Sequence, residues 1–166
     1  YNGANYVGWQ IQPNGISVQQ TLQEALSTIL RDKVDIVGAG RTDAGVHARE
    51  MHAHFDWEGE PLLTNELVHK MNNFLPRDIS IASIRPVHPE AHARFSALSR
   101  TYTYHVNTLK NPFNYPFHYK LHYTPDIDLM NRLCVVLMEY EDFTSFSKLH
   151  TDVKTNNCHI THAVWE

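Results

Sequence analysis

At 166 residues, with 42% hydrophobic and 19% charged residues, the chain can bury a core as one domain or as two small joined ones. Its formal charge of −4 excludes a generally basic nucleic-acid binder but leaves room for a local basic face. No apolar run is long enough for a membrane-spanning helix, and the two cysteines, Cys134 and Cys158, offer neither metal spacing nor a disulfide framework.

Asn2 to Gly15 reads as a loop rich in Gly and Asn. Ser17 is an N-cap with Gln20 as its capping-box partner, and Val18, Leu22, Ala25, Leu26, Ile29 and Leu30 then share one helical face. Val34 to Val37 reads as a short strand leading to a turn. Met51, Ala53, Phe55 and Trp57 alternate with His52, His54 and Asp56, as on a strand buried on one side. Thr64 begins a second helix, which Pro76 stops, and Ile79, Ile81 and Ile84 suggest another strand. A β-rich segment, Ser99 to Thr108, places Tyr102, Tyr104 and Val106 on one face. An aromatic loop from Asn111 to Tyr123 follows, then a third helix from about Asp128 to Met138, which buries the Cys134 thiol. Ile160 to Trp165 ends the chain as a strand, and Lys148 to Asn157 carries no assignable pattern. This order fits either parallel β-α-β units or a split β-α-β-β-α-β fold with an antiparallel sheet.

The turn Gly40-Arg41-Thr42-Asp43-Ala44-Gly45-Val46-His47-Ala48 sets a carboxylate two residues after an arginine, between glycines that allow close approach of another molecule. An aspartate there can face a ligand; equally, Asp43 and Thr42 can close the turn through backbone bonds, with Arg41 a surface cation. Tyr102 and Tyr104 can serve as a platform for stacking an unpaired base or as core residues of a half-buried strand. Among 12 histidines, His88 and His92 have the i, i+4 spacing of a metal pair, but Pro86 and Pro89 argue against a helix there and no further ligand completes a set. His47 reads as a support for the turn backbone.

The order of the blocks is more specific than any one of them. Tyr1 to Gln10, Ser17 to Leu22, the Gly40 to Ala48 turn, His92-Ala93-Arg94-Phe95-Ser96-Ala97, Arg100-Thr101-Tyr102-Thr103-Tyr104 and Asp142-Phe143-Thr144-Ser145-Phe146 together resemble the tRNA pseudouridine synthase A family, over nearly the whole chain. The resemblance implies an α+β fold of two ferredoxin-like split β-α-β modules around a mainly antiparallel sheet with a central RNA-binding cleft. The modules would span residues 1–98, carrying the aspartate turn, and 99–166, incomplete because the family pattern continues further and its C-terminal part is missing here. It also implies isomerisation of uridine to pseudouridine in the anticodon stem-loop of tRNA, without metal or organic cofactor, by a cytoplasmic homodimer with no membrane partner. Asp43 would be the catalytic residue and Tyr102 the base-stacking one. Arg41 would pair with Asp43 and help hold the nucleotide out of its helix, and Arg94, with Arg100, would contact phosphate. A non-catalytic RNA-binding module on the same fold is the alternative.

Overall fold

The computed structural model describes residues 1–147 and 155–166, which divide into two compact units, residues 1–104 and 105–166. Among the described residues the fold is α+β, with three α-helices and two small two-stranded sheets. The N-terminal unit holds α1 (Val18–Leu30), β1 (Val37–Gly38), β2 (Ala53–His54) and α2 (Thr64–Phe74). β1 and β2 are antiparallel, with Val37 opposite His54 and Gly38 opposite Ala53. The second unit holds β3 (Val106–Asn107), parallel to β4 (Tyr119–Lys120), and α3 (Ile127–Leu137).

α1 starts where its sequence says it should. The Ser17 hydroxyl accepts a bond from Gln20 N at 3.1 Å, which satisfies one of the donors a helix start leaves open. The Gln20 side chain does not reach back; its amide donates to Glu24 one turn on, so only half of the capping box forms. Val18, Leu22, Ala25 and Leu26 are buried and meet Leu67 and Met71 of α2, with Tyr6, Trp9, Val34, Ile36, Leu75 and Ile79 completing the core. Ser17 is itself fully buried. Ser17→Ala is therefore expected to lower stability by about 1–2 kcal/mol, read in a denaturant melt, whereas a loss below a few tenths would mean that the cap is dispensable.

The strands are shorter than the alternation predicts, and the reason lies on the helices. Ile36 donates its N–H to Gln23 Oε1 at 3.2 Å and accepts Gln19 Nε2 at 2.7 Å, so its backbone is served by α1 and the ladder begins only at Val37. In the same way Asn72 of α2 takes both backbone groups of Ile81, at 2.7 and 2.9 Å. The Ile79–Ile84 run thus packs on the core without a ladder partner among the described residues. Trp165 is held by Asn131 of α3 through both its N–H and its carbonyl, and the segment expected as the last strand has no ladder either. In the Met51–Trp57 stretch only Ala53 and His54 pair, although Met51, Phe55 and Trp57 do pack on the core.

Residues 148–154 of the unassigned stretch lie outside the described residues. In the second unit Asp126 caps α3 through Leu129 N, and Cys134 is buried, as its apolar setting suggests. Asp142 accepts from both the N–H and the hydroxyl of Thr144, and these bonds hold its carboxyl below the usual range while opening the 3₁₀ turn Thr144–Phe146.

Candidate active site

The Gly40–Ala48 turn is held from outside by the first nine residues of the chain. Tyr1 and Ala48 exchange backbone bonds at 2.7 and 3.0 Å, Gly45 N donates to Tyr6 O, and Trp9 N donates to Thr42 O. The Tyr1 hydroxyl meets Thr42 Oγ1 at 2.9 Å, and Gly3 N donates to Nδ1 of His47, which is the supporting role expected of that histidine. Within the turn, Val46 N closes back onto the Asp43 carbonyl at 3.2 Å, with Gly45 at φ +77° in the position that favours glycine. The opening segment also passes its carbonyls to the start of α1: Val18 N bonds Gly8 O and Gln19 N bonds Trp9 O. A helix start, an anchoring strap and the aspartate turn are thereby one connected backbone network.

That strap has its own anchor, which sequence reasoning did not single out. Asp78 accepts from the Tyr6 hydroxyl at 2.7 Å and from Asn5 Nδ2 at 3.0 Å, while its carbonyl takes Asn2 N. Burial, reinforced by the Asp78 carboxylate, pushes the Tyr6 hydroxyl well above the ordinary phenol range. Burial also works against the charged form of Asp78, but the bonds from Tyr6 and Asn5 outweigh it and hold that carboxyl below its ordinary value. The folded value thus lies below the unfolded one, which is near 4. The stabilisation is complete above about pH 4 and is lost as the pH falls through the folded value. Asp78→Asn is expected to flatten this acid limb of the melting curve; an unchanged limb would show that the pair contributes nothing. The only sequence signal for it was an Asp directly after a helix-ending Pro-Arg.

Asp43 is exposed, and its carboxylate makes no hydrogen bond or ion pair among the described residues. Arg41 is exposed as well, and the expected Arg41–Asp43 pair is not formed: the side-chain contacts to carboxylates of this kind among the described residues are the Lys70–Glu66 ion pair and the His52–Glu50 hydrogen bond. An exposed pair gains at most about 1 kcal/mol, which hydration and side-chain entropy readily cancel. Tyr102 and Tyr104 are 69% and 78% exposed, so they are not the core residues of a half-buried strand.

Arg94 lies in a loop built on histidines. His54 Nδ1 accepts from Ala93 N, His92 Nδ1 accepts from Arg94 N and Phe95 N, and Ser96 Oγ accepts from His92 N. The rings of His54, His92 and Phe95 follow one another with centroids 4.6 and 4.3 Å apart and planes tilted by 58° and 32°, and the Arg94 guanidinium sits 5.6 Å from the Phe95 centroid. His88 likewise takes Glu90 N. These ring nitrogens act as backbone acceptors, and among the described residues no three His, Cys, Asp or Glu gather as a metal site. Arg100, six residues after Arg94, reaches two carbonyls: Ala39 O at 3.2 and 2.7 Å, and Arg94 O at 2.9 Å. One side chain therefore joins the lead-in to the Gly40 turn, the Arg94 loop and the segment carrying Tyr102.

No family model matches the chain. Curated proteins do. A tRNA pseudouridine synthase A from Parabacteroides distasonis is 62% identical over 168 residues, covering 99% of this chain and 66% of the relative. One from Bacteroides fragilis is 56% identical with the same coverage, and one from Chlorobaculum tepidum is 39% identical over 99% of this chain and 67% of the relative. The chain belongs to the tRNA pseudouridine synthase A family. It spans about 66% of the length of the first two of these relatives. No helix among the described residues is long and apolar enough to cross a membrane.

Proposed function

We propose that the protein to which this chain belongs isomerises uridine to pseudouridine in the anticodon stem-loop of tRNA, with Asp43 as the catalytic residue. The observation that carries this reading is the presentation of Asp43: a solvent-facing carboxylate on a turn whose backbone is fixed by bonds from Tyr1, Tyr6 and Trp9. Relatives at 54–62% identity that are named tRNA pseudouridine synthase A support it.

The reaction breaks the N1–C1′ bond, turns the uracil over and forms a C5–C1′ bond; the C5 proton leaves to solvent and N1 gains one. A carboxylate placed beside the sugar can attack as a nucleophile or stabilise positive charge at C1′. Tyr102 would hold the detached uracil by its face, leaving its edges free to exchange partners. Arg41, with no ion pair among the described residues, would enter the space the flipped nucleotide vacates, and Arg94 would contact phosphate. In this reading residues 1–98 and 99–166 fold as two ferredoxin-like split modules, and the protein works as a cytoplasmic homodimer without cofactor. The test is tritium release from tRNA labelled at uracil C5, with the full-length protein and nucleoside analysis of the product. Release with pseudouridine formed supports the reading. Binding of tRNA with no release would make this a non-catalytic RNA-binding module.

A further inference from the structure

We infer that Arg100 is a positioning residue that sets the Arg94 loop against the Gly40 turn, and that it is not a phosphate contact. Its Nε and Nη2 donate together to Ala39 O, and Nη2 donates again to Arg94 O. Three of the five guanidinium N–H groups are therefore committed to main-chain carbonyls, and the Nε/Nη2 edge, which would grip an oxyanion through two parallel bonds, is occupied. Ala39 immediately precedes Gly40, and Arg94 is the residue whose guanidinium lies over Phe95. The local turn of residues 92–96 is already satisfied by His54, His92 and Ser96. What Arg100 adds is the distance between that turn and the aspartate turn. A fork with fixed geometry can hold two carbonyls at once; an ammonium on a flexible stem cannot hold the same pair in the same plane.

This inference uses the proposed isomerase only for its activity readout. In the full-length protein, Arg100→Gln and Arg100→Lys are compared with wild type for kcat, for tRNA Kd across a salt series, and for amide hydrogen exchange. The expectation for both variants is a kcat lower by about ten- to a hundredfold, the cost of a small misplacement of reacting groups. Kd changes less than kcat, because Arg94 is loosened and not removed, and amides in residues 40–43 and 93–96 exchange faster. Should the Gln variant not fold, the Lys variant alone carries the comparison. A weaker Kd with a salt slope reduced by about one, at unchanged kcat, would identify a phosphate contact and overturn the inference. Full activity in Arg100→Lys would overturn it too, because charge alone would then suffice. If the wild-type protein does not isomerise uridine, the proposed function fails separately, and the exchange comparison still decides the role of Arg100: unchanged protection in both variants overturns it.

Discussion

Asp43→Asn in the full-length protein is expected to lower tritium release from C5-labelled tRNA by roughly a thousandfold or more, about 4 kcal/mol of transition-state stabilisation, with no change in melting temperature. The second half of that expectation is specific to this structure. The carboxylate is exposed and bonds to no described group; the turn is closed by the Asp43 carbonyl, which asparagine keeps. A change of this kind at a surface position shifts stability by less than about 0.5 kcal/mol. Asparagine also has nearly the same size, so tRNA affinity should be retained. Loss of activity together with a lowered melting temperature would move Asp43 from chemistry to architecture. Activity retained within tenfold would remove it from the mechanism.

The second large effect concerns the strap. Gly8 has φ +111°, and a β-carbon built there would lie 2.3 Å from the Thr42 carbonyl oxygen, a backbone atom that cannot swing away. Gly8→Ala must therefore either hold a strained conformation, costing about 1–3 kcal/mol by itself, or break the Trp9–Thr42 bond that fixes the aspartate turn. A combined loss of about 3 kcal/mol is expected, with a melting temperature lower by roughly 6–12 °C and most activity lost with it. Gly45 provides the control. Its φ is also positive, at +77°, but a β-carbon there meets nothing within 4 Å, so Gly45→Ala should cost only about 1–2 kcal/mol. Equal losses at the two glycines would mean that the contact with Thr42 does not matter. Chemical denaturation of each variant, read beside its tritium release, measures both effects.

The parts of this fold that were legible in the sequence are those whose signal is carried by neighbouring side chains. Ser17 and the apolar face from Val18 to Leu26 announced α1, and Pro76 marked the end of α2, because capping and periodicity act within a few residues. The aspartate turn was legible as a motif. What holds it was not: Tyr1, Tyr6 and Trp9 act through backbone groups some forty residues away, and main-chain bonds leave no trace in residue type. The same limit led to Arg100 being read as a phosphate contact, although its partners are two carbonyls, and hid Asp78, whose role depends on Asn5 and Tyr6, distant in sequence. Strand lengths were overestimated because alternation reports which face is buried and is silent on who supplies the hydrogen bonds. The surface pairing of Arg41 with Asp43 failed for a simpler reason, since two hydrated charges gain little by meeting.

The amide side chains that serve extended segments from the helices have a consequence for alignment. Gln19 with Gln23, Asn72 and Asn131 each satisfy both backbone groups of one residue: Ile36, Ile81 and Trp165 respectively. An ordinary ladder can slide by two residues and recover every bond it loses. A clamp on a single residue has no such alternative, because the next residue with the same facing is two positions away and carries its own surroundings with it. Each segment is therefore indexed to a helix independently of any strand pairing. Ile36 lies four residues ahead of Gly40, so the helix α1 amides fix the phase in which the chain arrives at the aspartate turn.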